Sequence, residues 1–415
     1  MNKRFRITAA IQSALIDQTF IDKHRRIPTA FTRNRKLTFG TVVATILSLA
    51  KRSLQIVCNL LGARQMIEPA SKQAFSKARY KISYTGFKAL NDILLNEAYR
   101  GDNEGLWRGF RLFGTDGSTI RLPKSEETLE YFGETNGENQ HGTLLARISE
   151  IVELTTGIVV SGDLAPTCLG ERIIAKDQIR AVSAFFHELG QNKQLFIFDR
   201  GYISREMILD IYNAKADFMF RVPSGFNKAI DEAVKAGKTD LEIQLYPDCP
   251  LMRLTIRNLP SKEKCILLTS ILDVSISGEN FFKLYWMRWG GCEEGYKKQK
   301  IALELENFSG TGVEAILQEF WSNILALNLF QVQCLGEEGA WDIDNPPSNR
   351  INRNVVFGSL KEVVFDVILG EITHQEFEKV FKAVASRGKI KVRPGRSYSR
   401  EKVGKPKRNH VFRRV

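Results

Sequence analysis

Long apolar segments and clustered cysteines are both missing from this chain. Its six cysteines are scattered without Cys-x-x-Cys spacing, which argues against a zinc site and against a disulfide framework. The apolar run Thr41–Ala50 is only about ten residues long, too short to cross a bilayer. The N-terminal apolar residues are interrupted by Gln12 and Asp17, so no signal peptide is expected. These absences favour a reduced, cytoplasmic compartment and no membrane partner.

Positive charge is in excess and lies mostly at one end. The chain has 415 residues, enough for roughly two or three domains, and its formal net charge is +13. From Arg387 to Val415 there are 12 Lys and Arg residues against a single acid, Glu401. Such an arm suits a polyanionic partner, although basic C-termini that contain Gly and Pro are often simply disordered. We expect this tail to become ordered on DNA.

Helical periodicity covers residues 1–95. Apolar residues recur at helical spacing in Phe39–Leu61 and again in Ser71–Leu94. Cations are interleaved in the second segment, namely Lys72, Lys77, Arg79 and Lys81. They fit a DNA-binding region that docks on phosphates, and they also fit a helical bundle with a charged outer surface. The sequence leaves these two interpretations open.

Two aspartates are associated with apolar strands. The stretch Trp107–Pro123 alternates and is rich in aromatic and β-branched residues, so it predicts a strand with Asp116 at its end or just inside a turn. Gln194–Phe198 is continuously apolar, as in a strand buried on both faces, and Asp199 follows it. Open α/β sheets carry their chemistry where buried strands end, although Asp is also a very common turn residue. The sequence therefore predicts an α/β fold that presents two carboxylates.

The domain limits follow from changes in the pattern of residues. Short strands separated by turns that contain Pro, Asp and Lys make residues 223–281 a predicted β-rich insertion into the core. The predicted divisions are residues 1–95, helical and DNA-binding; 96–222, the first part of the core; 223–281, the insertion; 282–385, the second part of the core with the C-terminal helices; and 386–415, the basic tail.

A predicted helix lies in the segment Leu284–Gly310. Good helix formers run from Cys292 to Glu306, and the pair Gly290–Gly291 stands just before them, where a flexible backbone suits a helix start. At 3.6 residues per turn, one carboxylate and two cations share a face of this helix. These residues are Glu293, Lys297 and Lys300. They fit an ordinary solvated helix, and they also fit a carboxylate that holds a divalent metal above lysines that grip phosphate.

Together these motifs resemble a known family. A strand that ends in the Asp of Asp-Gly-Ser-Thr, a buried strand that ends in Asp-Arg-Gly-Tyr, and a helix with Tyr, Arg, Glu and Lys followed by Leu-Glu-Leu-Glu-Asn-Phe-Ser-Gly are similar to the DDE transposases of bacterial insertion sequences. The likeness is greatest to the insertion sequence 4 group, with its signature Y-x2-R-x3-E-x6-K. It covers most of the chain, because Ser71–Arg79 also resembles the segment that precedes the catalytic core in that group.

The resemblance assigns roles residue by residue. Asp116 resembles the first catalytic Asp, Asp199 the second, and Glu293 the third carboxylate. The remaining signature positions are matched by Tyr285, Arg288 and Lys300, the last of which stands seven residues after Glu293.

One departure from the signature concerns the residues before Glu293. Arg288 is five residues before Glu293 instead of four, so a strict alignment from Arg288 would put Cys292 at the carboxylate position. A thiol is a poor ligand for the hard ion Mg²⁺, and the lysine spacing downstream of Glu293 is intact, so Glu293 is preferred. Glu294 remains an alternative.

The resemblance implies an RNase H-like catalytic core. Asp116, Asp199 and Glu293 would hold two Mg²⁺ ions roughly 4 Å apart, with Mn²⁺ as a substitute, for metal-dependent phosphoryl transfer. The implied reaction is cleavage at the terminal inverted repeats of an insertion sequence, followed by attack of the 3′-hydroxyl on target DNA. The implied DNA contacts are Tyr285, Arg288, Lys297, Lys300, Arg200 and Tyr202.

The family likeness also implies partners and a location. Two DNA ends must be joined, so a homodimer is expected in the synaptic complex, in the bacterial cytoplasm at the nucleoid. Two alternatives stay open: a catalytically inactive DNA-binding relative or repressor, suggested by the altered spacing before Glu293, and another RNase H-like nuclease. The mechanism at the second DNA strand, by a hairpin or otherwise, is also open.

Removal of the basic tail tests its predicted role. Deleting Arg387–Val415 should weaken DNA binding and flatten its dependence on salt, because fewer counterions are released when fewer phosphates are neutralised. The measurement is a series of binding titrations at increasing salt concentration. An unchanged salt slope would contradict a role for the tail in DNA binding.

Overall fold

The computed structural model describes residues 2–33, 35–48, 53–134, 144–259, 263–361 and 363–393. Within these ranges the chain is a mixed α/β structure in which helices pack against an eight-stranded sheet. A second sheet consists of two short strands. None of the helices in the described ranges is long and apolar enough to cross a membrane.

Helices occupy most of the described part of residues 1–95. Asn2, Asp17, Thr38 and Ser71 each begin one of them, because their side chains accept a hydrogen bond from a backbone N–H of the first turn. The helices are α1 (Lys3–Ile16), α2 (Gln18–His24), α3 (Phe39–Leu47), α4 (Leu54–Arg64), α5 (Lys72–Tyr80) and α6 (Thr85–Tyr99). DNA binding by this region stays a prediction.

The large sheet combines antiparallel and parallel pairs. Its strands are β1 (Arg111–Leu122), β2 (Leu144–Glu153), β3 (Val159–Pro166), β4 (Gln194–Phe198), β5 (Asp217–Arg221), β6 (Asp240–Ile243), β7 (Met252–Asn258) and β8 (Lys264–Thr269). Their spatial order is β3-β2-β1-β4-β5-β8-β7-β6. β4 is parallel to both β1 and β5, and the other neighbours are antiparallel. The helices between these strands are α7 (Glu126–Phe132), α8 (Glu171–Glu188), α9 (Arg205–Asn213) and α10 (Lys228–Lys235).

The position of Asp116 differs from the sequence-based prediction. It lies in the middle of β1, paired with Glu150 of β2, and β1 continues to Leu122. The residues after Asp116 include Gly117 and Ser118, which favour turns in isolation. Here ten consecutive residues of β1, Phe113–Leu122, pair with β2, and this long ladder keeps the segment extended.

The segment 223–281 extends the large sheet. Its strands β6, β7 and β8 pair with one another, and β8 pairs with β5 through Met219 and Thr269. The predicted insertion therefore continues the core sheet beyond β5. Its limits as a domain stay a prediction.

The two faces of the sheet are covered by different helices. Residues directly opposite each other in an antiparallel pair share a face, so Asp116 and Glu150 lie on the same side. Ser149, the residue of β2 immediately before Glu150, points to the other side and donates a hydrogen bond of 2.7 Å to Gln178 of α8. The face that carries Asp116 is covered by the helical segment from Gly278 to Ala302.

That helical segment begins earlier than the sequence predicts. It starts at α11 (Gly278–Arg288), where Ser277 and Asn280 form a capping box. A π-helical turn (Trp289–Glu293), α12 (Glu294–Lys297) and a second π-helical turn (Lys298–Ala302) follow without a break. The glycines at positions 290 and 291 thus lie inside the helical segment and not at its start. The cap at Ser277 and the apolar face of α11 outweigh the low helix propensity of the two glycines.

A long buried helix supports the edge of the sheet. It is α13 (Val313–Glu338), and Asn328 on it accepts a hydrogen bond from the backbone N–H of Val159 at 2.9 Å and donates one to the Val159 carbonyl at 2.8 Å. The amide of Asn328 therefore pairs with the outer backbone of edge strand β3, where an unpaired N–H and C=O would be costly. The same helix holds Arg79 of α5 through Gln318 and Glu319.

The C-terminal elements are short. They are β9 (Asn349–Ile351), α14 (Arg353–Leu360), α15 (Val363–Ile368), α16 (His374–Arg387) and β10 (Lys389–Lys391), with β9 and β10 paired in the small sheet. The predicted basic tail therefore begins with the end of α16 and with β10. Its residues 394–415 lie outside the described residues.

Candidate active site

The register between β1 and β4 brings the two predicted aspartates level. Gly114 of β1 is paired with Ile197 of β4 in parallel register. Asp116 lies two residues after Gly114, and Asp199 lies two residues after Ile197, just beyond the last residue of β4. Both aspartates therefore lie at the same height on neighbouring strands, at the carboxyl end of the parallel pair.

Asp116 is mostly buried and has charged side chains of both signs near it. Its side chain is 18% exposed, and one carboxylate oxygen is 3.6 Å from Nη1 of Arg288. Burial raises the pKa of Asp116 to about 6; the charges of Asp199 and Glu293 add to the rise, while Arg288 and a hydrogen bond from the Gly117 N–H oppose it. Asp199 and Glu293 are therefore both close enough to Asp116 to raise its pKa.

Asp199 is held by the turn that follows β4. Its Oδ1 accepts a hydrogen bond of 2.8 Å from the backbone N–H of Gly201. A Cβ at position 201 would lie 3.1 Å from that same oxygen, so the glycine allows the turn to close around the carboxylate. The Asp-Arg-Gly-Tyr motif thus fixes the direction of its first residue locally.

A π-helical turn, Trp289–Glu293, joins Arg288 to Glu293. An α-helix repeats its face after about four residues, whereas an i→i+5 turn repeats it after five. Arg288 and Glu293 are five residues apart, so the turn brings these two positions to the same face of the helical segment. The turn thus takes up one residue more than an α-helical turn would.

Close packing at the π-helical turn depends on two glycines. A Cβ on Gly114 of β1 would lie 2.7 Å from Leu154 Cδ2 and 2.8 Å from Cys292 Sγ. A Cβ on Gly291 would lie 2.5 Å from Leu154 Cδ2. All three distances are shorter than ordinary van der Waals contacts, so the lack of a side chain at both positions lets the turn lie close to the sheet.

Three consecutive contacts bind the helical segment to the sheet beyond Glu293. The hydroxyl of Tyr296 donates to the backbone carbonyl of Asp116 at 2.7 Å. Nε2 of Gln299 lies 2.9 and 2.8 Å from the two carboxylate oxygens of Glu150. Nζ of Lys300 donates to Ser118 Oγ and to the Thr119 carbonyl, both at 2.7 Å.

Glu150 and Gln299 were not identified from the sequence. Both are buried, and burial raises the pKa of Glu150 to about 7, against the opposing effects of the Gln299 hydrogen bonds and of Lys300. A signal was present, because Glu150 stands in a strand segment beside Ile151 and Val152, where a buried carboxylate is costly without a partner. The partner, Gln299, is too far away in sequence for that segment to reveal it.

The predicted DNA contacts occupy different environments. Tyr202 and Tyr285 are buried, 1% and 4% exposed, so neither lies on a surface that DNA could reach in this conformation. Arg288 is also buried and faces Asp116. Arg200 is exposed, and exposed Lys297 bonds Glu294 at 2.5 Å. The structure thus places Arg288 beside Asp116, bonds Lys300 to Ser118 and Thr119 of β1, and leaves Arg200 and Lys297 at the outer surface.

The carboxylates of Asp116, Asp199 and Glu293 are the type of ligand that suits a divalent metal, but they are not arranged as a complete metal site. Carboxylate oxygens are the ligands that Mg²⁺ prefers, and a group of buried acids is stabilised by a cation. Among the described residues, however, no three His, Cys, Asp or Glu side chains are arranged to hold a metal ion. The guanidinium of Arg288 supplies a positive charge at Asp116 instead, and its Nε and Nη1 find no hydrogen-bond acceptor within those residues.

Substitution of Gly114 tests the close approach of helix and sheet. Gly114→Ala should lower the free energy of unfolding by about 1–3 kcal/mol, because the new methyl group overpacks against Leu154 and Cys292. Gly290→Ala is the matched control, since a Cβ at that position meets no atom within 4 Å. It should be neutral or raise stability by up to about 1 kcal/mol through helix propensity. Urea unfolding of the two variants measures both effects, and equal curves would show that the contact is not tight.

The buried carboxyl of Glu150 should make stability depend on pH. Its pKa is about 7 in the fold against an ordinary 4.5, so folding takes up a proton between these values. This group's contribution to stability is therefore present at low pH and falls by about 3 kcal/mol as pH rises through that window. Glu150→Gln removes the titration, so the variant should gain stability relative to wild type between about pH 5 and pH 8. Urea unfolding across that range measures the difference, and parallel stability profiles would contradict it.

Two solved structures that are similar to this chain are transposase complexes. One is described as a cryo-EM structure of the piggyBac transposase synaptic complex with hairpin DNA; the TM-score is 0.48 and the identity 12%, with 95% of this chain and 87% of that chain covered. The other is described as a crystal structure of a pre-cleavage Mos1 transpososome, with a TM-score of 0.20, 11% identity, and 82% and 99% covered. Scores this low fix neither fold nor function. Comparison with protein-family models and with curated proteins finds no match.

Proposed function

We propose that this protein is a DDE-type DNA transposase of an insertion sequence, built on an RNase H-like core. The observation that carries the proposal is the level placement of Asp116 and Asp199 on parallel strands, with the Glu293 helix on the same side of the sheet. This is the arrangement that the family resemblance implies. The Y-x2-R part of the signature and the downstream lysine support a likeness to the insertion sequence 4 group.

Glu293 is the best candidate for the third carboxylate. The π-helical turn offsets the additional residue, so the altered spacing no longer speaks against it. The alternative at position 292 is a thiol that is 2% exposed, and its burial raises its pKa further above the physiological range. Glu294, the other alternative, is bonded by Lys297 at 2.5 Å.

Asp116, Asp199 and Glu293 would hold two Mg²⁺ ions, or Mn²⁺ in their place. When bound, such ions activate the attacking oxygen and stabilise the leaving oxygen of an in-line phosphoryl displacement. The burial of Asp116 excludes water from its carboxylate and strengthens its interaction with nearby cations. Arg288 is buried beside Asp116 and balances part of its charge.

The proposed reaction has two phosphoryl-transfer steps. Water attacks the phosphodiester at the end of the element, the P–O3′ bond breaks, and a free 3′-hydroxyl remains. That hydroxyl then attacks a phosphodiester of target DNA and displaces another 3′-oxygen, so neither step needs a covalent protein–DNA intermediate. Lys300, Lys297 and Arg200 lie near or outside the carboxylates, where they would contact the phosphate backbone.

The partners follow from this reaction. The protein would bind the terminal inverted repeats and the target DNA, and two copies would act together in a synaptic complex because two DNA ends are joined. It would work in the bacterial cytoplasm at the nucleoid. The basic residues of Arg387–Val415 would add non-specific affinity for DNA.

A second candidate function is DNA binding without catalysis. The observation that favours it is the Arg288–Asp116 pair, together with the lack of three converging metal ligands among the described residues. In that case the guanidinium would permanently replace a metal ion at Asp116. The two candidates differ in a single measurable property, which is metal-dependent strand cleavage.

Substitution of the carboxylates tests the enzyme. Asp116→Asn, Asp199→Asn and Glu293→Gln should each reduce Mg²⁺-dependent cleavage of terminal-repeat DNA by roughly 1,000-fold or more, because each removes a metal ligand at the reacting phosphate. DNA affinity should change little, since each variant loses negative charge. The assay is cleavage and strand transfer with purified protein and labelled DNA ends, alongside a binding titration.

Glu294→Gln is the matched control for Glu293→Gln. It should cleave at close to the wild-type rate, because its carboxylate pairs with Lys297. The reverse result would move the third carboxylate to position 294. A wild-type protein that binds the DNA ends but gives no product with Mg²⁺ or Mn²⁺ would instead favour the non-catalytic candidate.

A further inference from the structure

The backbone of the helical segment that carries Glu293 does not by itself fix its register, that is, which residues face the sheet. Two π-helical turns flank the four-residue helix α12. Such turns are rare and have poorer hydrogen-bond geometry than an α-helix, and each can shift the following residues by one position around the helix axis. A one-residue shift would rotate Glu293 by about 100° around the helix axis. The face that Glu293 presents must therefore be set by contacts from helix to sheet.

The best-buried of these contacts joins Gln299 to Glu150. Gln299 is 0% exposed and Glu150 is 2% exposed. The amide nitrogen of Gln299 contacts both carboxylate oxygens, at 2.9 and 2.8 Å. Glu150 is paired with Asp116 across β1 and β2, so the contact is made directly beside the first predicted catalytic residue. Gln299 lies in the second π-helical turn, six residues after Glu293.

The chemistry of the pair suits a register lock better than simple filling of space. An apolar residue at either position would pack at many rotations of the helix, whereas an amide that must reach a buried carboxylate satisfies it at only one. A shift by one residue would leave the carboxylate buried without that partner, which is strongly unfavourable. Tyr296 and Lys300 bond backbone and hydroxyl groups of β1 in the same register.

We propose that Gln299 and Glu150 are a pair of positioning residues that set the register of the helical segment and so hold Glu293 beside Asp116 and Asp199. This inference rests on the proposed function for its effect on catalysis. Neither residue touches the reacting atoms. Their role is to keep the π-helical turn before Glu293 in place, so that the additional residue in that turn does not displace Glu293.

Exchange of the two side chains, which changes their volumes very little, tests the inference. Gln299→Glu sets two carboxylates against each other and should reduce the single-turnover cleavage rate roughly 100-fold, as expected for a misplaced catalytic group, with DNA affinity unchanged. Adding Glu150→Gln to that variant restores one amide and one carboxylate in reversed order. The double variant should recover most of the lost rate. Glu and Gln have nearly the same shape, so a role in packing alone predicts no loss and no rescue.

A second measurement does not depend on activity. Cys292 is a buried free thiol in the π-helical turn, and Cys168 is the exposed free cysteine among the described residues. In a Cys168→Ser background, labelling of Cys292 by a thiol reagent, followed by mass spectrometry of its peptide, reports opening of that turn. Gln299→Glu should accelerate labelling of Cys292 about tenfold through local opening, and the double variant should reverse this. The buried Cys265 in β8 is the internal control and should stay protected.

The outcomes separate the two proposals. Wild-type cleavage by Gln299→Glu, a double variant no better than Gln299→Glu, or unchanged labelling of Cys292 would each overturn the positioning role. If wild-type protein cleaves no DNA, the proposed function fails and the labelling result alone decides the role of the pair. If Gln299→Glu does not fold by itself, Gln299→Asn takes its place; this variant keeps the amide but shortens its reach, and wild-type cleavage and labelling would then contradict the proposal.

Discussion

The parallel register of β1 and β4 is the constraint on which the candidate site depends. It fixes the height of Asp116 against that of Asp199, although the two are far apart in sequence. Backbone hydrogen bonds on both sides of β1 hold that register, since β2 pairs with it over ten residues. A slip of one residue in either pairing would turn Asp116 to the opposite face, so the sheet defines the site before any side-chain contact does.

The helical segment from Gly278 to Ala302 completes the site by lying unusually close to that sheet. Gly114 and Gly291 make room for it, and the contacts from Tyr296, Gln299 and Lys300 hold it in place. Arg288 enters the same space and partly neutralises Asp116. The close helix–sheet contact thus brings a buried cation beside Asp116, where it opposes the rise in pKa that burial causes.

Local patterns in the sequence predict much of this arrangement. The continuous apolar run Gln194–Phe198 specified β4 and the position of Asp199 after it, because a strand buried on both faces has few alternatives. The location of Asp116 within β1 was not predictable from its neighbours Gly117 and Ser118, because these residue types favour turns. Pairing with β2 keeps them extended. The early start of the helix and its π-helical turns were equally hidden. Gly290 and Gly291 suggest a helix start in the sequence, and the packing against Leu154 that accounts for Gly291 inside the helix is seen only in the fold.

The π-helical turn also changes how distance along this chain relates to position in space. Arg288 and Glu293 are five residues apart, and the wider turn takes up the residue by which this exceeds an ordinary helical repeat. A count of residues alone therefore misjudges which positions lie on one face of a helix wherever that helix widens locally.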